Sequence, residues 1–240
     1  MKDKQALTEK IRKLLALSES PNQHEAEQAM AKASALMEEH QIVMSDVLVK
    51  EMKSAQAEKG KRFKVTEQGK VFSLNLASAV GLIFDTGAIQ YMGGSIIRFI
   101  GLKDDVAQSE MLFDHLWLSW QSIVRQDVKR WKDDSYLPPR QYNVKKFKMG
   151  HGQGFANAIF YRAQRLARLR KEAVQASSST GRELVVLKDQ LVEQYYDDNN
   201  VKPARKRKLQ TEGFGEGQVA GEAIPLGGGI EEGTKRERIN

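Results

Sequence analysis

The sequence contains no cysteine. That excludes a disulfide scaffold, a thiolate nucleophile, a cysteine-containing zinc finger and a thiolate-held iron–sulfur cluster. No apolar run approaches the roughly 18–20 residues that a membrane-crossing helix needs. The first ten residues, MKDKQALTEK, hold no apolar stretch of the kind a secretory signal uses, so none is expected. H-E-x-x-H, G-x-x-x-x-G-K-[ST] and G-x-G-x-x-G are all missing, and no repeat of solenoid period is visible. What is present suffices for a folded protein. The chain has 240 residues, of which 40% are hydrophobic, enough for one large or two small domains with a real core. Lys+Arg is 38 against 31 Asp+Glu, a formal charge of +7.

The apolar spacing predicts a mainly helical α+β protein. Leu7, Ile11, Leu14 and Leu15 mark one face of a first helix. Ser20-Pro21-Asn22 breaks it, and Asn22 with Glu25 resembles a capping box for a second. Ala26, Ala29, Met30, Ala33, Leu36 and Met37 then form a narrow face of mostly small residues. Residues 1–52 are expected as a helical hairpin module, with a short third helix from Ser45 to about Met52. Residues 53–70 are polar and read as a linker, with a short strand at Phe63–Val65.

Residues 71–197 are expected as an α+β module. A helix runs from Phe72 to about Phe84. A β-hairpin follows at 88–100, turning on Gly93-Gly94. Asp104 is the expected cap of a long helix that ends near Trp131. Residues 132–144, with Pro138-Pro139, are a loop, and another helix spans about Lys146 to Ala176. Ser177–Gly181 reads as a break, Leu184–Leu187 as a short strand and Asp189–Tyr196 as a helix. Residues 198–240 form a basic, glycine-rich extension with eight of the chain's glycines in its last forty residues.

Charge is concentrated. Residues 1–60 carry nine basic and ten acidic side chains, whereas residues 121–210 carry 20 basic and nine acidic ones. Lys145, Lys146 and Lys148 lead into a helix that bears Arg162, Arg165, Arg168 and Lys171. Arg205, Lys206, Arg207 and Lys208 form a tetrabasic run. Cations spaced along a rigid element are what phosphate contact requires, since each contact releases a counterion. These eleven residues are the candidate nucleic-acid-binding set, against the alternative of a solvated face.

Other constellations have plainer explanations. Trp117 and Trp120 share a face with Phe113 and Val124, which points to core packing rather than base stacking. Trp131, beside Lys129, Arg130 and Lys132, is open to either role. Gly150 and Gly154 are four apart on one helix and read as a close helix–helix approach, not as a phosphate loop. His24, His40, His115 and His151 show no metal-ligand spacing. Asp104-Asp105 serves a helix start, and Asp133-Asp134 is expected in a polar loop. No catalytic residue, metal site or cofactor is assigned, and the reading leans away from an enzyme while keeping a metal-dependent one as the last alternative. Asp104, Asp105 and His115 are the residues a metal-dependent enzyme would use.

The string Lys10-Ile11-Arg12-Lys13-Leu14-Leu15-Ala16-Leu17, then Ser20-Pro21-Asn22, Glu25-Ala26, Ala29, Lys32-Ala33, Leu36-Met37 and His40, resembles a small helical domain of unknown function common in phages, prophages and bacteria. Ser18 stands where that pattern usually closes on alanine. Phe99-Ile100-Gly101, Asp105-Val106-Ala107, Phe113, Leu116, Phe147, Gly150, Gly154, Leu184-Val185-Val186, Tyr195, Gly217, Gly221, Ile224 and Leu226 resemble an uncharacterised module that often follows it. The resemblance implies a phage- or prophage-encoded accessory protein in the bacterial cytoplasm, with no catalytic residues to carry over. DNA or RNA is the expected partner. A host or phage protein docking on residues 26–37 of the hairpin is the alternative, and no membrane partner is expected.

Overall fold

The computed structural model describes residues 2–17, 23–40, 56–134, 143–177, 179–204 and 207–226. The expected third helix at 45–52 and the Pro138-Pro139 loop lie outside them, as do Arg205 and Lys206. The fold is mainly helical α+β. It divides into two units, residues 1–57 with 169–198, and residues 58–168 with 199–240. Among the described residues no helix is long and apolar enough to cross a membrane.

The first unit opens with α1 (Lys2–Leu17) and α2 (Gln23–Glu39), which pack together. Ile11 and Ala33 are fully buried between them, with Leu7, Leu14, Leu15, Leu36 and Met37 around. Ala29 is buried as well, so the small-residue face of α2 is in use within the fold.

The second unit is built on a small antiparallel sheet. Its strands are β1 (Glu58–Lys59), β2 (Phe63–Lys64), β3 (Gly87–Tyr91) and β4 (Ile96–Gly101). β4 is central, with β3 along one edge and β1 and β2 in succession along the other. Glu58 pairs with Gly101 and Lys59 with Ile100, whereas Phe63 pairs with Ile97 and Lys64 with Ile96. The register has shifted by one residue between β1 and β2, the mark of a bulge at residues 60–62. Arg98 Nε donates to the Gly60 carbonyl there (2.5 Å), and Lys61 N–H donates to a Glu110 carboxylate oxygen. The described part of the stretch expected as a linker thus supplies an interrupted edge strand. The strand expected at Phe63–Val65 is present as β2, with Phe63 buried and Val65 packed on the core, whereas the exposed Glu58 and Lys59 of β1 give no apolar signal.

A 3-10 turn (Gly69–Val71) leads into α3 (Ser73–Phe84). Asp85 ends α3 in the left-handed conformation (φ 54°), a region tolerated by Asp. The β3–β4 connection is longer than the expected two-residue turn. Residues 92–95 form it, with positive φ at Met92, Gly93 and Gly94 and hydrogen bonds from Gly94 N–H to Tyr91 O and Ser95 N–H to Met92 O.

α4 (Lys103–Asp134) starts one residue before the expected cap and continues past Trp131 through Asp133-Asp134, which were expected in the loop. Its first bond runs from Val106 N–H to Leu102 O (2.8 Å), so Asp104 and Asp105 sit in the first turn, where their charge suits the helix dipole. α5 (Val144–Ser177) is capped by Asn143, whose side-chain oxygen accepts from Lys146 N–H (3.0 Å). Aromatic rings dominate the core between sheet and helices. Phe63, Phe99 and Phe113 meet edge to face, while Phe72 lies against Trp117 and Trp120 at 5.6 and 4.6 Å. Both tryptophans are therefore core residues, and Trp131, half-buried, stacks on Phe147 (4.7 Å).

Two expectations for the later chain change. Leu184–Leu187 is not a strand but part of α6 (Ser179–Asp198). Val185, Lys188, Leu191, Val192, Tyr195 and Tyr196 are half-buried at intervals of three and four, a helical stripe that outweighs the local β-propensity. The described part of the glycine-rich extension forms α7 (Phe214–Ala223), and Ala220 of α7 with Leu226 just beyond it enters the core of the second unit.

Candidate nucleic-acid interface

α5 is the scaffold of the expected basic face, and its first half is set by glycine. A β-carbon on Gly150 would collide with the Glu212 carbonyl, and one on Gly154 with the Phe214 carbonyl. From α7, Gly217 meets the His151 carbonyl in the same way, and Gly221 would crowd the Phe155 carbonyl. The partners advance together along both helices, so α7 runs parallel to α5 at close backbone contact. Gly213 supplies the positive φ (77°) that starts α7 under the Phe147 carbonyl. Gly154 thus serves the expected helix–helix approach, whereas Gly150 admits the Gln210–Glu212 segment that leads into α7.

Beneath this seam lies a buried acid–imidazole pair. His151 is wholly inaccessible, and its Nε2 is 2.8 Å from Asp127 Oδ2 on α4. Arg130 reaches the other Asp127 oxygen at 2.5 Å. Burial lowers the His151 pKa from 6.5, and the Asp127 and Glu216 carboxylates only partly oppose it. The ring is therefore neutral at pH 7, and Nδ1 has no hydrogen-bond partner among the described residues. A recess of about 230 Å³ beside the pair is lined by Asp127, Arg130, Trp131 and Glu216. Sequence reasoning missed this pair because its members are 24 residues apart on different helices, and no local pattern marks them. Enclosed as it is, the imidazole ties α4 to α5. His24, His40 and His115 are exposed. Among the described residues no three His, Asp or Glu side chains converge as a metal site.

The expected basic residues have different fates. Lys145 and Lys146 are exposed and Lys148 half-buried at the start of α5. Glu67 stands close by: its carboxyl is held below the ordinary value mainly by a hydrogen bond and charge from Lys70, with a smaller contribution from Lys145. Arg162 is drawn into the fold. Its Nη1 lies within hydrogen-bond distance of the Gly221, Glu222 and Ile224 carbonyls (2.9, 3.1 and 2.6 Å). A cation on the last carbonyls of a helix satisfies orphan acceptors and matches the dipole. Arg165 and Arg168, the next two basic residues along α5, are exposed.

Lys171 belongs to the other unit and pairs with Asp189 (3.1 Å). Of the tetrabasic run, Arg207 and Lys208 are described and exposed. Gln153 on α5 clips the following segment in place: its amide donates to Lys208 O (3.0 Å) and accepts from Gln210 N–H (2.8 Å). Arg207 also approaches Gln90 Oε1 on β3 (3.4 Å). The structure thus brings the Lys208 backbone beside Gln153 in the first third of α5, between Lys146 and Arg165 along the helix.

The N-terminal helix pair, with its buried Ile11–Ala33 contact, coincides with a match to a family model. Residues 6–44 match the family model DUF2786, described as a protein of unknown function. The matched segment contains most of α1 and all of α2 and ends before the sheet-bearing unit begins. No curated protein and no solved structure matches the chain.

Proposed function

We propose that this is an accessory protein that contacts nucleic acid without base specificity along α5, in a phage or prophage setting and in the cytoplasm of the bacterial host. The contact residues are Lys145, Lys146, Lys148, Arg165, Arg168, Arg207 and Lys208, with Arg205 and Lys206 added from the tetrabasic run. Arg162 and Lys171 are left out, since the first caps α7 and the second pairs with Asp189. One observation carries the reading. Exposed cations occur at the start and again beyond the middle of one continuous helix, roughly 30 Å apart between Lys146 and Arg165, and the Lys208 segment is clipped between them. A phosphate backbone offers charges along such a length, and rigid cations meet it at little entropic cost. The small-residue face of α2, which a protein partner would use, is already buried at Ala29 and Ala33.

The test is fluorescence anisotropy with labelled DNA and RNA at two or more salt concentrations. Binding should weaken steeply with salt. Neutralising Lys145, Lys146, Arg165 and Arg168 to Gln should flatten the log–log slope by about 0.7–0.9 for each phosphate interaction removed. An unchanged slope would sink the assignment.

A further inference from the structure

Most large aromatic side chains of the second unit are buried or half-buried, but Tyr161 is 64% exposed. It sits on α5 just where the α7 contact ends, next to the Arg162 cap. At about 100° per residue, Tyr161, Arg165 and Arg168 fall within roughly 60° of one another on the helix surface. Asn157 and Gln164 flank them on the same side. The neighbouring Phe160 ring, half-buried in the core, stands edge-on to Tyr161 with centroids 6.3 Å apart. A ring is thus held out from a rigid helix with two guanidinium groups along the same stripe.

An apolar ring face in water gains nothing for the fold. Beside cations it matches one kind of ligand well. Each nucleotide of a single strand offers a phosphate to a guanidinium and an unstacked base to a ring. A duplex keeps its bases stacked on each other and offers only the phosphates. We infer that Tyr161 is a base-stacking platform and that the nucleic acid bound on this face is single-stranded. This rests on the nucleic-acid reading above and adds the class of ligand.

Stacking and phosphate contact separate by their salt response, because only the latter releases counterions. The experiment compares a labelled oligothymidylate with a duplex of the same length, using the full chain. The single strand should bind more tightly. Tyr161→Ala should weaken it roughly 5- to 150-fold while leaving the salt slope unchanged, and Tyr161→Phe should restore it. The duplex should bind equally to all three proteins. Thermal melting of each variant confirms that the exposed position leaves the fold intact.

Equal affinity for strand and duplex, or an Ala variant that binds as the parent does, overturns the stacking role and leaves the phosphate reading standing. No binding of either ligand at low salt removes both. Self-association abolished in Tyr161→Ala would make the ring a contact between copies and also overturn the inference.

Discussion

The two halves of α5 before residue 169 make different use of similar-looking sequence. From Val144 to Phe160 the helix is governed by what it packs against: glycine admits α7, Phe147 and Phe155 fill the core, and His151 is sealed over Asp127. From Tyr161 to Arg168 the cover of α7 is gone, and an aromatic ring and arginines emerge. Arg162 stands at the border and belongs to the first half by its bonds, although its residue type suits the second. The same side chain closes a helix end at one position and faces solvent one turn later. What decides is the end point of another helix, more than fifty residues downstream.

The largest effect should come from filling the seam. Gly154→Ala places a methyl against the Phe214 carbonyl and the Gln218 amide, which are backbone and cannot rotate away. We expect a loss of about 3 kcal/mol, read by denaturant unfolding. Gly215→Ala sharpens the comparison. That glycine lies in α7 with open space around it, so stability should hold or rise by about 0.5–1 kcal/mol.

Arg162→Ala should cost about 2 kcal/mol, because three carbonyls at the end of α7 lose a charged donor. Its salt slope for nucleic acid should stay that of the parent chain.

A smaller effect, spread over pH, should come from His151. Its folded pKa lies below the ordinary 6.5, so below that pH the unfolded chain binds more protons than the native one. The imidazole contribution to stability is complete above about pH 6.5 and is lost as pH falls through the window below it. The slope should approach 1.4 kcal/mol per pH unit at most, at about 25 °C. His151→Gln should remove this component from a series of melts between neutral and mildly acidic pH, whereas replacing exposed His115 should not.

Much of the fold was legible because helix periodicity and turn chemistry are local. The faces through Ile11, Leu76 and Trp117 follow from spacing alone, and Gly93-Gly94 marks the hairpin. Of the bulged edge strand at 58–64, Phe63-Lys64 was expected but β1 was not, since both its residues are exposed and their pairing partners lie over forty residues away. Val185 and Leu187 suggested a strand because the window was too short to show the stripe that runs on to Tyr196. At the candidate site, the sequence located the cations but could not tell Arg162 from Arg165. Their difference arises from where α7 ends, and that is a tertiary fact. Tyr161 was passed over for a related reason: exposure of an aromatic residue is set by neighbours distant in sequence.

The most direct test sets Arg165→Gln against Arg162→Gln in one assay, the salt dependence of nucleic-acid affinity, with a melt of each protein. We predict that Arg165→Gln melts as the parent does and lowers the slope by about 0.7–0.9. We predict that Arg162→Gln melts earlier and keeps the slope. The reverse pattern, or two variants alike in both readouts, would contradict the division of α5 into a packed half and a half proposed to face the ligand.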